Sequence, residues 1–237
     1  MQTTSALYKS IVATSGHYFK TKVEIAGEEI PENQIISLTR EAVGSQDSKP
    51  AIGGALASQI SLTILKPSFT IPRMGEIAIY LQACEGNRAS EWIRQGVFFI
   101  DTRKHNQTVN GTGTLTLTAF DAMMKAEDDY PETQHGWPYL DRSVVAEIAS
   151  AIGVSVDSRT NAFLTAAYMI NLPAEYTMRE TLEHIAACYG GNFVITKENK
   201  LLFIPLYGLG YQETGFYLAN ESGNALTFGS EGWCILV

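Results

Sequence analysis

Ser58-Gln-Ile-Ser-Leu-Thr-Ile-Leu65 settles the class of fold. Extended, this stretch puts Ile60, Leu62 and Ile64 on one side and Gln59, Ser61 and Thr63 on the other. A period of two with polar residues at alternate positions marks a half-buried antiparallel strand. Working outward, Glu76 to Cys84 repeats the pattern with Ile77, Ile79 and Leu81. Lys22 to Ala26 does so with Val23 and Ile25 and ends at a turn on Gly27. Gln34 to Arg40 is β-branched and alternates from Ile36 through Leu38, Trp92 to Asp101 is a longer apolar run, and Thr114 to Phe120 alternates Thr and Leu. Turn signals separate these runs: Gly53-Gly54, Pro67, Pro72, Glu85-Gly86-Asn87 and Asn110-Gly111. Short strands at this spacing predict a small barrel or sandwich, since an isolated flat sheet would leave its edges exposed.

Beyond Lys125 the texture changes and helices are expected. Phe120 to Ala126 reads as a short one. Asp141 to Ile152 carries Val144, Val145, Ile148, Ala151 and Ile152 at helical spacing and stops at Gly153. Thr177-Met-Arg-Glu180 is a capping box opening a helix to Tyr189, with Leu182, Ile185, Ala186 and Tyr189 as its apolar stripe and Gly190-Gly191 as its end. Asn192 to Thr196 and Leu201 to Pro205 read as a hairpin turned at Lys197 to Lys200. Asn161 to Leu172 fits either a helix or a buried loop. The fold class is therefore α+β and mainly antiparallel. The expected organisation is a β-barrel-like domain over 1–125, an α/β domain of helix plus hairpin over 126–205, and a return segment or the start of a further β region over 206–237.

Composition narrows the function classes. The 237 residues are 45% apolar and 18% charged, enough apolar content for a packed core. Lys and Arg number 17 against 25 Asp and Glu, a net of −8. The imbalance is local: residues 1–125 hold 12 basic and 11 acidic side chains, residues 126–237 hold 5 and 14. An acidic chain with no basic block is not built to wrap nucleic acid, which needs clustered Lys and Arg, so no sequence-specific nucleic-acid binding is expected. Cys84, Cys188 and Cys234 are far apart and form no CxxC, so they are expected reduced and buried rather than as a zinc or disulfide framework. Met1 to Lys20 lacks the apolar core of a signal peptide. The longest uncharged stretch, Pro50 to Leu65, is interrupted by Gly and polar residues, so no membrane anchor is expected. Three Asn-x-Ser/Thr sequences, at Asn106, Asn110 and Asn220, read as chance matches.

Chemistry-bearing patterns are sparse. There is no Gly-x-Ser-x-Gly elbow, no His-Glu-x-x-His, no EF-hand loop and no phosphate-binding glycine loop. His17, His105, His135 and His184 are scattered, so a Cys/His hydrolase would have to be assembled in space. Glu127-Asp-Asp129 reads as a solvated connector and Asp101-Thr-Arg-Lys-His105 as a turn. His135-Gly-Trp-Pro-Tyr139 reads as a loop pinned on the core by Trp137 and Tyr139, with a sugar or peptide platform as the alternative. No catalytic residue, metal or cofactor is expected, and the chain is read as a non-enzyme whose polar, Thr- and Ser-rich surface is made for other proteins.

Three stretches resemble a known group. Ala89-Ser-Glu-Trp-Ile-Arg-Gln-Gly-Val-Phe-Phe-Ile-Asp-Thr-Arg103 is similar to a W-x-x-x-G-x-F-x-I strand of tail proteins encoded in prophages of Gram-positive bacteria. Leu115 to Lys125 resembles the T-A-x-D-x-x stretch that closes their first β domain. Tyr176 to Leu182, through Gly190-Gly-Asn-Phe193 to Lys200-Leu-Leu, resembles their helix and hairpin. The wider group is the tail or baseplate hub, the late-control D type of phage protein and the N-terminal part of type VI secretion spike proteins. The resemblance covers roughly residues 55 to 205 and implies a trimeric ring of paired β-barrels at the tail tip, docking on the tail tube, distal tail and other tail-tip proteins of the virion, with DNA passing through a channel that the acidic second half is expected to face. The chain departs from that pattern in its length, because a complete second barrel does not fit after residue 205.

Trp137, Tyr139, Tyr211, Phe216 and Trp233 are the aromatic side chains expected at protein interfaces. The apolar Trp233 to Val237 is expected to dock on a domain or a partner. Two other readings stay open at this point: a tail-associated cell-wall hydrolase or peptidase, and a host-surface binding module using Trp137, Tyr139 or the Gly208 to Tyr217 loop.

Overall fold

The alternating strands close on one another through their apolar sides. In the structure, a computed structural model describing residues 4–41, 52–107, 113–131, 136–171, 173 and 175–206, they are β1 (Tyr18–Ile25), β2 (Glu28–Ile30), β3 (Ile35–Glu41), β5 (Gln59–Leu65), β6 (Glu76–Glu85), β8 (Ile93–Gln107) and β9 (Gly113–Phe120). They follow the order β2-β1-β6-β8-β9-β5-β3, every neighbour antiparallel, with the short β7 (Arg88–Ala89) on β6. The sheet curls into a half-barrel. Ile60, Leu62 and Ile64 are fully buried, and with Val23, Ile25, Ile77, Phe98, Ile100 and Leu117 they fill its interior. Each such side chain taken from water contributes about 1.5–3 kcal/mol, which fixes the register, because a one-residue slip would turn the whole set outward.

A second core forms where the helices lie. β4 (Gly54–Leu56), β11 (Ser155–Val156), β13 (Gly191–Ile195) and β14 (Lys200–Pro205) make a sheet of order β11-β14-β13-β4. β13 and β14 are the expected antiparallel hairpin; β4 and β11 join it in parallel. Packed with it are α2 (Asp141–Ala151) and α4 (Met178–Cys188). The α4 stripe of Leu182, Ile185 and Ala186 is buried, and its capping box is formed: Thr177 Oγ1 accepts from the Glu180 amide at 3.1 Å while the Glu180 carboxylate accepts from the Thr177 amide at 2.8 Å. The described residues all fall in one compact unit, Met1–Tyr207.

Asp121 links the two cores. It follows β9, caps a short 3-10 helix (Ala122–Glu127) whose Ala122, Met123 and Ala126 belong to the second core, and is 3% exposed. Its carboxylate accepts from the amides of Ser58 at 2.7 Å and Met123 at 3.1 Å, and its own amide donates to the Ser58 carbonyl at 3.0 Å.

Several expectations are corrected. Gly53-Gly54 is not a simple turn: Gly54 opens β4, so a piece of the first β region completes the second sheet. Gly53 has φ +82°, and a Cβ there would sit 2.8 Å from Ala187 Cβ, so glycine is what lets the strand run beside the end of α4. Asp101 to His105 is strand rather than turn. β8 runs on past a bulge near Asp101 and pairs with β9 as far as Gln107; its charged side chains are exposed, although Arg103 and His105 stand opposite the buried Leu117 and Leu115, and Arg103 donates to the Ile71 carbonyl at 2.8 Å. The N-terminal region, read as strands alone, opens with α1 (Ala6–Val12), capped by Ser5 and anchored by the buried Ile11. The predicted Phe120–Ala126 helix is the 3-10 turn, because Phe120 still pairs in β9. The ambiguous 161–172 stretch divides into the end of α3 (Ser158–Phe163) and β12 (Met169–Ile170), which pairs with β10 (Tyr139–Leu140). Cys84 is buried, but Cys188 is exposed: it lies on the last turn of α4, off the apolar stripe. Cys234 and Asn110-Gly111 lie outside the described residues.

Candidate functional site

A carboxylate buried without charge partners must be hydrogen-bonded, and Asp141 shows how. It is 0% exposed in the first turn of α2. Its Oδ1 accepts from the Arg142 amide at 2.6 Å, and its Oδ2 accepts from the Tyr189 hydroxyl at 2.5 Å and the Tyr168 amide at 3.1 Å. Burial, followed by donation to Asp141, pushes the Tyr189 phenol well above its ordinary value, so it stays a donor. The Asp141 amide in turn donates to the Tyr168 carbonyl at 2.9 Å. One side chain thus ties the start of α2, the approach to β12 and the end of α4 together.

Between those elements lies a cleft of about 210 Å³. Tyr168, Ile170, Tyr176, His184, Ile185 and Cys188 form most of its wall. His184 and Cys188 stand four apart on α4 and so share a face. Tyr176 packs edge-on against the His184 ring at 4.9 Å, and Tyr168 against Tyr189 at 5.1 Å. A Cys, a His and an Asp thus line one cleft. A nucleophilic site needs the base within hydrogen-bond reach of the thiol and oriented by a third group. Among the described residues no hydrogen bond joins His184 to Cys188 or to Asp141, and both Asp141 oxygens are already engaged. The arrangement suits holding an apolar or aromatic side chain better than activating a nucleophile. No three His, Cys, Asp or Glu side chains among the described residues are placed to hold a metal ion.

Trp137 and Tyr139 sit behind this cleft. Both are half-buried against the second core, and Trp137 packs edge-on to Tyr130 at 5.9 Å and to Tyr139 at 6.1 Å. Tyr139 pairs with Ile170, so the pinned loop positions one wall of the cleft. Tyr211, Phe216 and Trp233, the Gly208 to Tyr217 loop and the Trp233 to Val237 end lie outside the described residues. Tyr168, Tyr176, His184 and Cys188 were not singled out as a site by sequence reasoning. The only signal was the His184/Cys188 spacing, which says nothing of what faces it.

A second surface lies on the outside of the half-barrel. Val23 and Ile25 point inward, so Tyr18, Lys20 and Lys22 point outward, and in register beside Lys22 stand Tyr80 and then Arg94. Lys22 Nζ lies 4.5 Å from the Tyr80 ring centre and 5.7 Å from that of Trp92, and the Arg94 guanidinium lies 5.7 Å from Tyr80. Tyr18 and Trp92 are exposed. Aromatic rings and Arg are enriched at interfaces while Lys is depleted there, and Lys22 is ion-paired with Glu24 at 2.8 Å.

The same fold is found in solved proteins. The chain superposes on the prophage MuSo2 43 kDa tail protein of Shewanella oneidensis with a TM-score of 0.57 at 13% identity, over 81% of this chain and 57% of that one. On the tail protein of Neisseria meningitidis MC58 the TM-score is 0.52 at 13% identity, over 78% of this chain and 51% of the other. At this identity the likeness is one of fold, and the chain spans little more than half the length of either protein. No family model and no curated protein matches the sequence. Among the described residues no helix is long and apolar enough to cross a membrane.

Proposed function

We propose that this chain is a structural subunit of a phage or prophage tail, placed at the tail tip or baseplate hub, where it associates with copies of itself and docks on the tail tube and neighbouring tail proteins of the virion. The observation that carries the reading is the fold shared with two tail proteins over about four fifths of the chain. Three sequence stretches agree with it: the Trp92 to Ile100 strand, the Leu115 to Lys125 closure and the capped helix with its hairpin all resemble hub proteins of the late-control D type. The trimer is the assembly that resemblance implies.

The site's chemistry fits the same reading. An assembly subunit needs shaped surfaces with aromatic and charged anchors, and it needs no turnover. The test is solution mass by light scattering behind a sizing column across a range of concentrations, followed by co-purification with a phage tail tube protein from the same genome. Trimers and tube binding are expected. A strict monomer that ignores the tube protein, or peptidoglycan cleavage abolished by His184→Ala or Cys188→Ser, would replace this reading with a binding module or a hydrolase.

A further inference from the structure

The loop after β5 lies against the charged end of β8 and leaves a hollow of about 230 Å³ at one end of the half-barrel. Lys66, Phe69, Ile71, Arg103, His105 and Leu115 line it. Arg103 is held there by backbone: its guanidinium donates to the Ile71 carbonyl at 2.8 Å and to the Pro72 carbonyl. The Lys66 amide donates to the Gly113 carbonyl at 3.0 Å, which ties the loop to the start of β9. Carbonyls are neutral acceptors, so they orient the guanidinium and leave its charge uncompensated. No Asp or Glu occurs in 66–75 or 102–120, the two stretches that build the hollow. The neighbouring carboxylates face away from it. Glu76 stands opposite Phe99, which packs on the second core, and Asp101 lines a separate hollow with Phe120 and Arg179. Among the described residues no carboxylate lies within ion-pair distance of Lys66, Arg103 or His105, whereas Lys22, Arg88, Arg159 and Arg179 each have one.

We propose that this hollow binds a phosphomonoester, with the phosphate beside Lys66, Arg103 and His105 and the organic group against Phe69. Three basic side chains gathered where no carboxylate answers them call for an anion of more than one charge, and a phosphomonoester carries about −1.5 to −2 at neutral pH. A carboxylate brings a single charge. Lys66 is a compact charge on a flexible stem that can follow the ligand, while Arg103 is fixed by the loop carbonyls. Small-molecule sites set a few polar groups in an apolar wall; here the wall is the half-buried Phe69, with the buried Ile71 and Leu115 behind it. Because the whole chain carries −8, an anion is drawn here by local charge and not by the overall field. The basic side chains are exposed, so water and salt screen them, and the expected affinity is modest, a Kd of about 0.1–1 mM. The site needs no second copy of the chain.

The experiment is isothermal titration calorimetry of the full chain with phenyl phosphate, inorganic phosphate and benzoate, in a phosphate-free buffer. Phenyl phosphate is expected to bind saturably, about three- to tenfold tighter than inorganic phosphate, which lacks the ring, or benzoate, which lacks the second charge. Lys66→Ala and His105→Ala, both at exposed positions, are each expected to weaken it about three- to tenfold. Lys20→Ala, at an exposed lysine on the outer face of the half-barrel, is expected to leave it unchanged. Circular dichroism shows that each variant is folded. Absence of binding up to about 10 mM phenyl phosphate overturns the proposal. So does binding that Lys66→Ala and His105→Ala leave intact, or that Lys20→Ala weakens equally, because the ligand then sits elsewhere. Benzoate binding as tightly as phenyl phosphate overturns the choice of phosphate, and inorganic phosphate binding as tightly removes Phe69 from the site.

Discussion

Asp121 holds the two cores together at an energetic cost that pH should reveal. Its carboxyl is pushed up to about 6 from 3.8, first by burial, against the opposing effect of the Ser58 and Met123 amides and of Arg40. The folded protein therefore keeps a proton that the unfolded chain gives up across that window. The stability this contributes is fully present below pH 3.8 and is lost as pH rises through 6. At about 1.4 kcal/mol per unit, the shift amounts to about 3 kcal/mol in all, of which about 2.4 falls between pH 4 and 7.5. Other carboxylates titrate in the same range, so the quantity to measure is a difference. Asp121→Asn is neutral throughout and carries a constant offset for whatever its amide does to the Ser58 and Met123 hydrogen bonds. Urea unfolding of both proteins at half-unit intervals should show the variant gaining about 2–3 kcal/mol on the wild type from pH 4 to 7.5. A flat difference would remove the argument. A difference of opposite sign would mean that the two amides and Arg40 outweigh burial and that Asp121 stabilises the junction as a carboxylate.

Three further outcomes follow from the packing. Gly53→Ala places a Cβ 2.8 Å from Ala187 Cβ at φ +82° and should cost about 2–4 kcal/mol, whereas Gly16→Ala, at φ +90° with nothing within 4 Å, should cost only about 1 kcal/mol; thermal melts of the pair separate steric from conformational cost. Thr177→Ala removes the capping box and should lower stability by about 1 kcal/mol, with Thr177→Ser close to wild type in the same urea titration. Leu182→Ala opens a cavity in the second core and should cost about 2–5 kcal/mol, while Leu7→Ala, at a position 42% exposed, should stay within about 0.5 kcal/mol.

The strands were legible because their information is local. Ile60, Leu62 and Ile64 state the buried face of β5 without reference to any partner, and the Thr177/Glu180 pair states where α4 begins. What could not be read depends on pairing across long sequence separations. β4 is three residues whose strand character comes from lying beside β13, with Gly54 N donating to Asn192 Oδ1 at 2.8 Å across 138 residues. By local propensity alone Gly53-Gly54 is a turn, and tertiary context overrode it. The charged end of β8 misled for the converse reason: Asp101 to His105 has no apolar alternation, because Arg103 and His105 are the polar partners of the buried Leu117 and Leu115, and the ladder is supplied by β9.

The cleft was illegible for a related reason, and this bears on how surface hollows can be found from sequence. Its walls come from the start of α2, from β12 and from α4, three elements gathered around Asp141, whose role cannot be guessed from Leu-Asp-Arg-Ser in the sequence. Asp141 reads as an ordinary first-turn carboxylate favouring the helix dipole. Buried and shared among Arg142, Tyr168 and Tyr189, it fixes a hollow that local patterns do not encode. Trp137 and Tyr139 were visible because aromatic clusters in a polar loop stand out, and they lie one layer behind the surface, bracing the strand that lines it. Composition picks out the residues that hold such a surface in place more readily than those that present it. An aromatic-rich loop in the sequence is then a pointer to the neighbourhood of a cleft, and the lining residues are to be sought on the elements that the loop pins.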